Sequence, residues 1–325
     1  MRKSSFLCYL FAALTLLAGT AGAQQSAVEG SFARNLTVSG PVDLEVMSGS
    51  GDIQVRTGNA TEVRVSGRIR ARRDREADAQ EIVRQLEADP PIQQNGNEII
   101  IGRADDGERL RNVSISYEVV VPAQTEVEAR SGSGDVTIEG VQRPVVARAG
   151  SGDVTVSATG SDVDAQAGSG DVSLRSVQGT ARAQAGSGNI EATDIAGPFT
   201  GSSGSGDIEV RQTASGDVSV QTGSGDIGVR GVQGALRANT GSGTIVAEGG
   251  PAAPWDVRAA SGDIRLRLPS DAAFDLEART ASGDVSTDHP MTVQGSLNRG
   301  HLQGRVRGGG PTVSVRTASG DIRVE

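Results

Sequence analysis

Ser131-Gly132-Ser133-Gly134-Asp135-Val136-Thr137-Ile138 returns 18 residues later as Gly150-Ser151-Gly152-Asp153-Val154-Thr155-Val156. After 18 more it returns as Gly168-Ser169-Gly170-Asp171-Val172-Ser173-Leu174. Further copies end at Asn189, Asp207, Asp226, Thr244, Asp263 and Asp284, in steps of 18 to 21 residues. The last ends at Asp321 and reads as lying two rungs further along. An earlier copy is Ser50-Gly51-Asp52, and a half-step copy is Ser215-Gly216-Asp217. A fixed period of this length is the mark of a repeat architecture.

Each copy is followed by strict alternation. Val136 and Ile138, Val154 and Val156, Ile208 and Val210, and Ile264 and Leu266 share one parity, with polar residues between them. Period two with β-branched residues predicts a strand with one buried face. A second alternating stretch precedes each glycine turn. Val163, Ala165 and Ala167 point one way and Asp164 and Gln166 the other; Ala181, Ala183, Ala185 and Leu236, Ala238, Thr240 repeat this. A second turn joins the strands at Gly140-Val141-Gln142, Ser176-Val177-Gln178 and Gly231-Val232-Gln233. Neither strand can bury its inward face alone, but stacking successive copies can. The expectation is an all-β protein, a parallel β-solenoid of about 18 residues per rung with two strands in each, about 4.8 Å apart.

The solenoid is expected over residues 131–325, and residues 24–130 are expected to form an N-terminal β cap or the first rungs. Short strands are predicted over Asp43–Val55, Val63–Ala71, Glu98–Ile101 and Ser114–Val121. Between them Arg75–Glu87 predicts a helix, with Ala79, Ile82, Val83 and Leu86 on one face and Pro90-Pro91 as the stop. Its expected task is to cover an open sheet edge. At the other end the chain stops just after the strand Ile322–Val324, which reads as an exposed edge.

Residues 1–23 read as a secretory signal peptide. Arg2 and Lys3 precede an apolar run from Phe6 to Leu17, and Ala21-Gly22-Ala23 forms the cleavage site. The lone cysteine, Cys8, falls inside this segment, so the exported chain has no thiol for disulfides or metals. No later stretch is apolar enough to span a bilayer as a helix. Loss of Arg2 and Lys3 takes the net charge from -9 to -11. An acidic chain disfavours nucleic acid as a partner, because phosphate must be neutralised. Aromatics make up only 2% of the chain against 45 glycines, which a thin Val/Ile-on-Ala core explains.

The recurring Ser-Gly-Asp-Ile/Val turns, the segment Ile115-Ser116-Tyr117-Glu118-Val119-Val120-Val121-Pro122 and the ending Val313-Ser314-Val315-Arg316-Thr317-Ala318-Ser319-Gly320-Asp321-Ile322 carry a resemblance. The chain resembles the bacterial β-strand-repeat family named "putative adhesin", a domain of unknown function similar to the head-GIN adhesins. The resemblance covers nearly all of the exported chain. It implies stacked β architecture in an exported protein and brings no catalytic residues.

Four features invite a chemical reading. Gly223-Ser224-Gly225-Asp226-Ile227-Gly228 matches a dinucleotide fingerprint, but a strand follows it where a helix is required. The Asp column could hold calcium, as nonapeptide β-rolls do. Its register differs from theirs, and Asn189 and Thr244 share only a side-chain oxygen with Asp, which favours an acceptor for turn N–H groups. An outward column, Arg130, Arg148, Gln166, Gln184, Arg258, Arg279 and Arg316, could meet an acidic glycan or a protein, or simply face water. The cluster Arg64, Arg68, Arg70, Arg72, Arg73 and Arg75 reads as solvated beside Asp74, Glu76 and Asp78. His289 and His301 are the only histidines, and no serine stands out beside a base. No catalytic, cofactor-binding or metal-ligating residue is therefore assigned. The reading is an exported, periplasmic or surface, non-enzymatic repeat protein, adhesin-like or an envelope scaffold, with an envelope glycan or protein as the partner class. The alternatives are a periplasmic accessory or sensor protein in envelope stress control and a calcium-stabilised β-roll.

Overall fold

The computed structural model describes residues 27–59, 61–72, 76–102, 112–293 and 299–325. The export segment with its cleavage site, and Arg73, Asp74 and Arg75, lie outside the described residues. Among those described, the strands form two sheets, one of 14 and one of 15, each containing a long parallel array. Val136–Glu139, Val154–Thr159, Val172–Val177 and their successors build the 14-stranded sheet. Thr125–Ser131, Val145–Ala149, Val163–Ala167, Ala181–Ala185 and their successors build the other. Pairing is in register: Val145 lies beside Val163, and Val154 beside Val172. The β-solenoid read from the repeat is thus the observed fold.

The core lies between the sheets. Ile138, Val156 and Leu174 from one wall face Ala147, Ala165 and Ala183 from the other, all buried. Where the alanine column admits a large side chain, a neighbour shrinks. A Cβ at Gly201 would lie 2.7 Å from the Phe199 ring, so glycine stands there. Trp255 is 1% exposed and donates its indole N–H to the Gly234 carbonyl at 3.1 Å, so its polar atom is satisfied inside. In the first turn successive rungs touch backbone to backbone. A Cβ at Gly152 would come 2.2 Å from the Gly134 carbonyl oxygen.

Rung order departs from chain order at both ends. The predicted strand Asp43–Val55 is in fact two, Val42–Ser48 and Ile53–Thr57, on either side of the Gly49–Asp52 turn. Together they make a complete rung. It lies between Glu98–Ile101 and Val113–Val121 on one side and Thr125–Ser131 and Val136–Glu139 on the other. The final rung, Thr312–Ser319 with Ile322–Val324, behaves likewise. It is inserted between Trp255–Ser261 with Ile264–Arg267 and Phe274–Ser282 with Val285–Thr287. Ile322–Val324 is therefore paired on both sides, and Asp321 follows Asp263 directly. This corrects the expectation of an exposed terminal edge and of a last copy two rungs beyond Asp284.

The stack ends are closed by antiparallel excursions. Val28–Thr37 pairs with Glu62–Ala71, which pairs with Val113–Val121. The alternation of Val28–Thr37 is obscured in sequence because Gly30 and Arg34 take inward positions. The helix spans Glu76–Ala88, and it buries Ala79, Val83 and Leu86 against the first two of these strands. Gly30 leaves the room that Val83 fills. Arg34 donates to the Glu87 and Ala88 carbonyls at 3.1 Å, supplying the cation that the helix lacks in its last turn. The Glu87 carboxylate accepts the Ser31 N–H at 2.9 Å on the edge strand. At the other end, Met291–Val293 pairs with His301–Val306, which pairs with Phe274–Ser282.

Candidate functional surface

The glycine turns carry a ladder along one edge of the rod. The N–H of Asp153 donates to the Asp135 carboxylate at 2.9 Å, and that of Asp171 to Asp153 at 2.8 Å. Asn189 donates to Asp171 at 2.7 Å, and Asp207 to the Asn189 side-chain oxygen at 2.9 Å. The ladder continues through Asp226 and Thr244, and then from Asp263 to Asp321 to Asp284. From Asp135 to Asp226, and again at Asp263 and Asp321, each short side-chain oxygen thus receives the turn N–H of the next rung. A hydrogen bond to a charged acceptor contributes about 1.5–3 kcal/mol. Like charges one rung apart repel by roughly 1 kcal/mol in water. Near protein the repulsion is larger and of the same order as the hydrogen bond, so the ladder offsets it. Asp217, the half-step copy, sits at the opposite turn, where its carboxylate accepts the Ala235 N–H at 2.9 Å. Asp162 does the same for Thr180 at 2.7 Å.

A second column was not singled out in sequence. Ser131, Ser203, Thr222, Thr240 and Thr317 are buried where Ala149, Ala167 and Ala185 stand in other rungs. Ser203 donates to the Gly188 carbonyl at 2.9 Å and accepts the Gly206 N–H at 2.9 Å. Thr222 and Thr240 reach the Gly206 and Gly225 carbonyls. The signal was present as Ser or Thr immediately before the glycine turn.

The outward arginine column is largely self-neutralised. Arg148 pairs with Glu128 at 3.1 Å, and Arg130 contacts Glu128 and lies 3.5 Å from Glu45. Arg258 pairs with Asp256 at 2.7 Å, while Arg279 and Arg316 share Glu277 at 3.0 and 3.4 Å. Exposed pairs of this kind contribute about 0.2–1 kcal/mol each. Between these two groups the same column is uncharged through Gln166, Gln184, Ser202, Gln221 and Asn239, one per rung in register. Gln221 donates to the Ser202 hydroxyl at 3.3 Å. In the N-terminal cluster, Arg70 pairs with Glu29 at 2.9 Å, Arg64 donates to Asn35 at 3.4 Å, and Arg68 stands in register with Ser31 and Ser116.

The structure separates the two histidines. His289 is 7% exposed and lies edge-on to Phe274, with ring centres 5.5 Å apart. His301 pairs across from outward-facing Arg279. Gly223–Gly228 falls between the strands Val218–Ser224 and Ile227–Val232, so no helix N-terminus meets it. Among the described residues, no three His, Cys, Asp or Glu side chains converge as metal ligands. All five aromatic side chains of the described residues, Phe32, Tyr117, Phe199, Trp255 and Phe274, are buried. Neither face of the rod therefore offers a described ring on which a sugar could stack. Among the described residues, no helix is long and apolar enough to cross a membrane.

Similarity to known proteins is confined to architecture. A search of curated proteins finds no match. Solved structures that align include a "putative cell adhesion protein" from Clostridium sporogenes, 12% identical over 91% of this chain and 99% of that one, with a TM-score of 0.23. A "putative adhesin" from Bacteroides fragilis is 12% identical over 91% and 97%, with a TM-score of 0.30. A "putative lipid binding protein" from Parabacteroides distasonis is 13% identical over 91% and 96%, with a TM-score of 0.41. At such identities and scores, none of these carries a functional argument. The family profile Toastrack DUF4097 matches residues 43–325, from the first intercalated rung to the last residue. With its repeat, its two parallel arrays and this match, the chain belongs to the Toastrack DUF4097 family.

Proposed function

We propose that this chain is an exported, non-enzymatic rod that presents a sheet face to a protein or glycan partner of the cell envelope, as an adhesin or scaffold does. The observation that carries the reading is the uncharged column Gln166, Gln184, Ser202, Gln221 and Asn239. Five successive rungs repeat hydrogen-bonding groups in register on an outward face. The arginine rungs on either side are occupied by their own carboxylates. With every described ring buried, such a face would engage a partner through hydrogen bonds rather than stacking.

The test is capture of the purified chain by intact envelope material. The doubly substituted chain Q184R/Q221R is expected to lose capture, because two guanidinium groups interrupt the column. Thr155→Arg, on the opposite sheet, is expected to retain it. Failure of the unaltered chain to bind, or equal binding by both variants, would overturn the reading. Protease treatment of intact cells then separates the two compartments. Cleavage places the rod at the surface, and survival until the outer layer is broken places it in the periplasm.

A further inference from the structure

The rung that brackets the final rung from outside repeats its sequence. Arg279-Thr280-Ala281-Ser282-Gly283-Asp284 is identical to Arg316-Thr317-Ala318-Ser319-Gly320-Asp321. Both rungs have the same backbone form, with φ of 145° at Gly283, 140° at Gly320 and 141° at Gly262 in the rung that both would face. The turn contacts that the final rung makes with residues 255–267 each have a ready substitute. Thr317 donates to the Gly262 carbonyl at 3.1 Å, and Thr280 makes the same bond to Gly320 at 2.9 Å. The Asp321 N–H donates to Asp263 at 2.9 Å, and the Asp284 N–H to Asp321 at 2.9 Å. The Ile264 N–H donates to the Asp321 carbonyl at 2.9 Å, as Ile322 does to Asp284.

We propose that the final rung is a removable wedge: when residues 312–325 leave, rung 274–287 closes directly onto rung 255–267 in the same register. The connection permits it. Asp263 and Asp284 are 21 residues apart, whereas rungs stacked directly elsewhere need 18 or 19, so the link can skip a rung or serve adjacent ones. The inserted order is preferred because Ile322 and Val324 are fully buried against Ile264 and Leu266. Their substitutes would be Val285 and Thr287, which offer less apolar surface. The rod end therefore has two stacking orders, and one of them frees a 14-residue strand-turn-strand segment.

Disulfide trapping tests this in the full chain with Cys8 replaced by serine. Arg258 and Arg279 lie two strand spacings apart, about 9.6 Å. A disulfide needs Cα atoms within about 7 Å. The variant R258C/R279C is expected to form an intramolecular disulfide slowly under oxidising conditions. Adding Ile322→Ala is expected to speed closure severalfold, and ending the chain after residue 311 should make it as fast as in R258C/R316C. The proposal is overturned if the shortened chain does not close. It is equally overturned if the full chain stays open over a period many times longer than R258C/R316C needs.

Discussion

The two ends of the rod solve one problem with unequal material. At each end a rung from near the chain terminus is intercalated between two rungs, and an antiparallel excursion closes the stack. The N-terminal closure is thick. It has a 13-residue helix, a ten-residue edge strand whose Ser31 N–H is taken by Glu87, and the buried pair Phe32 and Tyr117. Gln94 also ties the two sheets by donating to the Thr37 carbonyl at 2.8 Å. The C-terminal closure is thin. Its outermost strands are Val285–Thr287 and Met291–Val293, three residues each, and Val293 is the one exposed large hydrophobic among the described residues. In a stacked protein, stability is local to a rung and its neighbours. The difference therefore teaches where opening starts: at the C-terminal end, around the final rung.

Substitutions at four positions and one titration can break or sharpen that contrast. The largest effect is expected in the middle. Gly152→Val places carbon against the Gly134 backbone, which cannot swing aside as a side chain can, and should cost about 4 kcal/mol or more in denaturant unfolding. Leu86→Ala should cost about 2–4 kcal/mol, and hydrogen exchange should rise over residues 27–102 while 145–250 stay protected. Exchange spreading through the central rungs would show that the ends are not independent. Asp171→Ala should cost about 1–2 kcal/mol by stranding the Asn189 N–H, while Asp171→Asn should cost well under half of that, since Asn189 already plays the same part. Ser176→Gly should instead stabilise by about 0.5–1 kcal/mol. Ser176 has φ of 55°, and Gly140 and Gly231 serve the corresponding turn in other rungs. The smallest effect is expected from calcium. A site filled to 100 times its dissociation constant would add about 2.7 kcal/mol. A melting temperature that does not move between millimolar calcium and chelator is the expected result, and a rise of several degrees would restore the β-roll reading.

The central rungs were legible because each residue there has one structural task, repeated at a fixed step. Alternating Val/Ile against Ala gave the inward faces, and Gly-Ser-Gly-Asp gave the turn. The rung order at the C-terminal end was not legible for a physical reason. Arg-Thr-Ala-Ser-Gly-Asp occurs in both rungs, so nothing local says which of them touches Asp263. The N-terminal copy at Ser50-Gly51-Asp52 was visible, but its place beside Thr125–Ser131 was hidden by the long excursion that separates the two in the chain. Asp217 read as a half-step copy because Ser-Gly-Asp suits either turn. Its own strand, Val218–Ser224, shows that it belongs to the second. On the surface, the arginine column was readable as outward-facing. Its neutralisation was only half readable: Asp256 and Glu277 stand two residues before Arg258 and Arg279 on the same strand, whereas Glu128 reaches Arg148, and Glu277 reaches Arg316, only through parallel register.

Intercalation of the final rung is the central structural claim, and paired spin labels measure it directly. Along one outward column the register runs from Gln166 through Gln184, Ser202, Gln221, Asn239 and Arg258 to Arg316, and only then to Arg279. The distance from position 166 should be about 29 Å to position 316 and about 34 Å to position 279. The inverse order, with position 279 the nearer, would contradict the account.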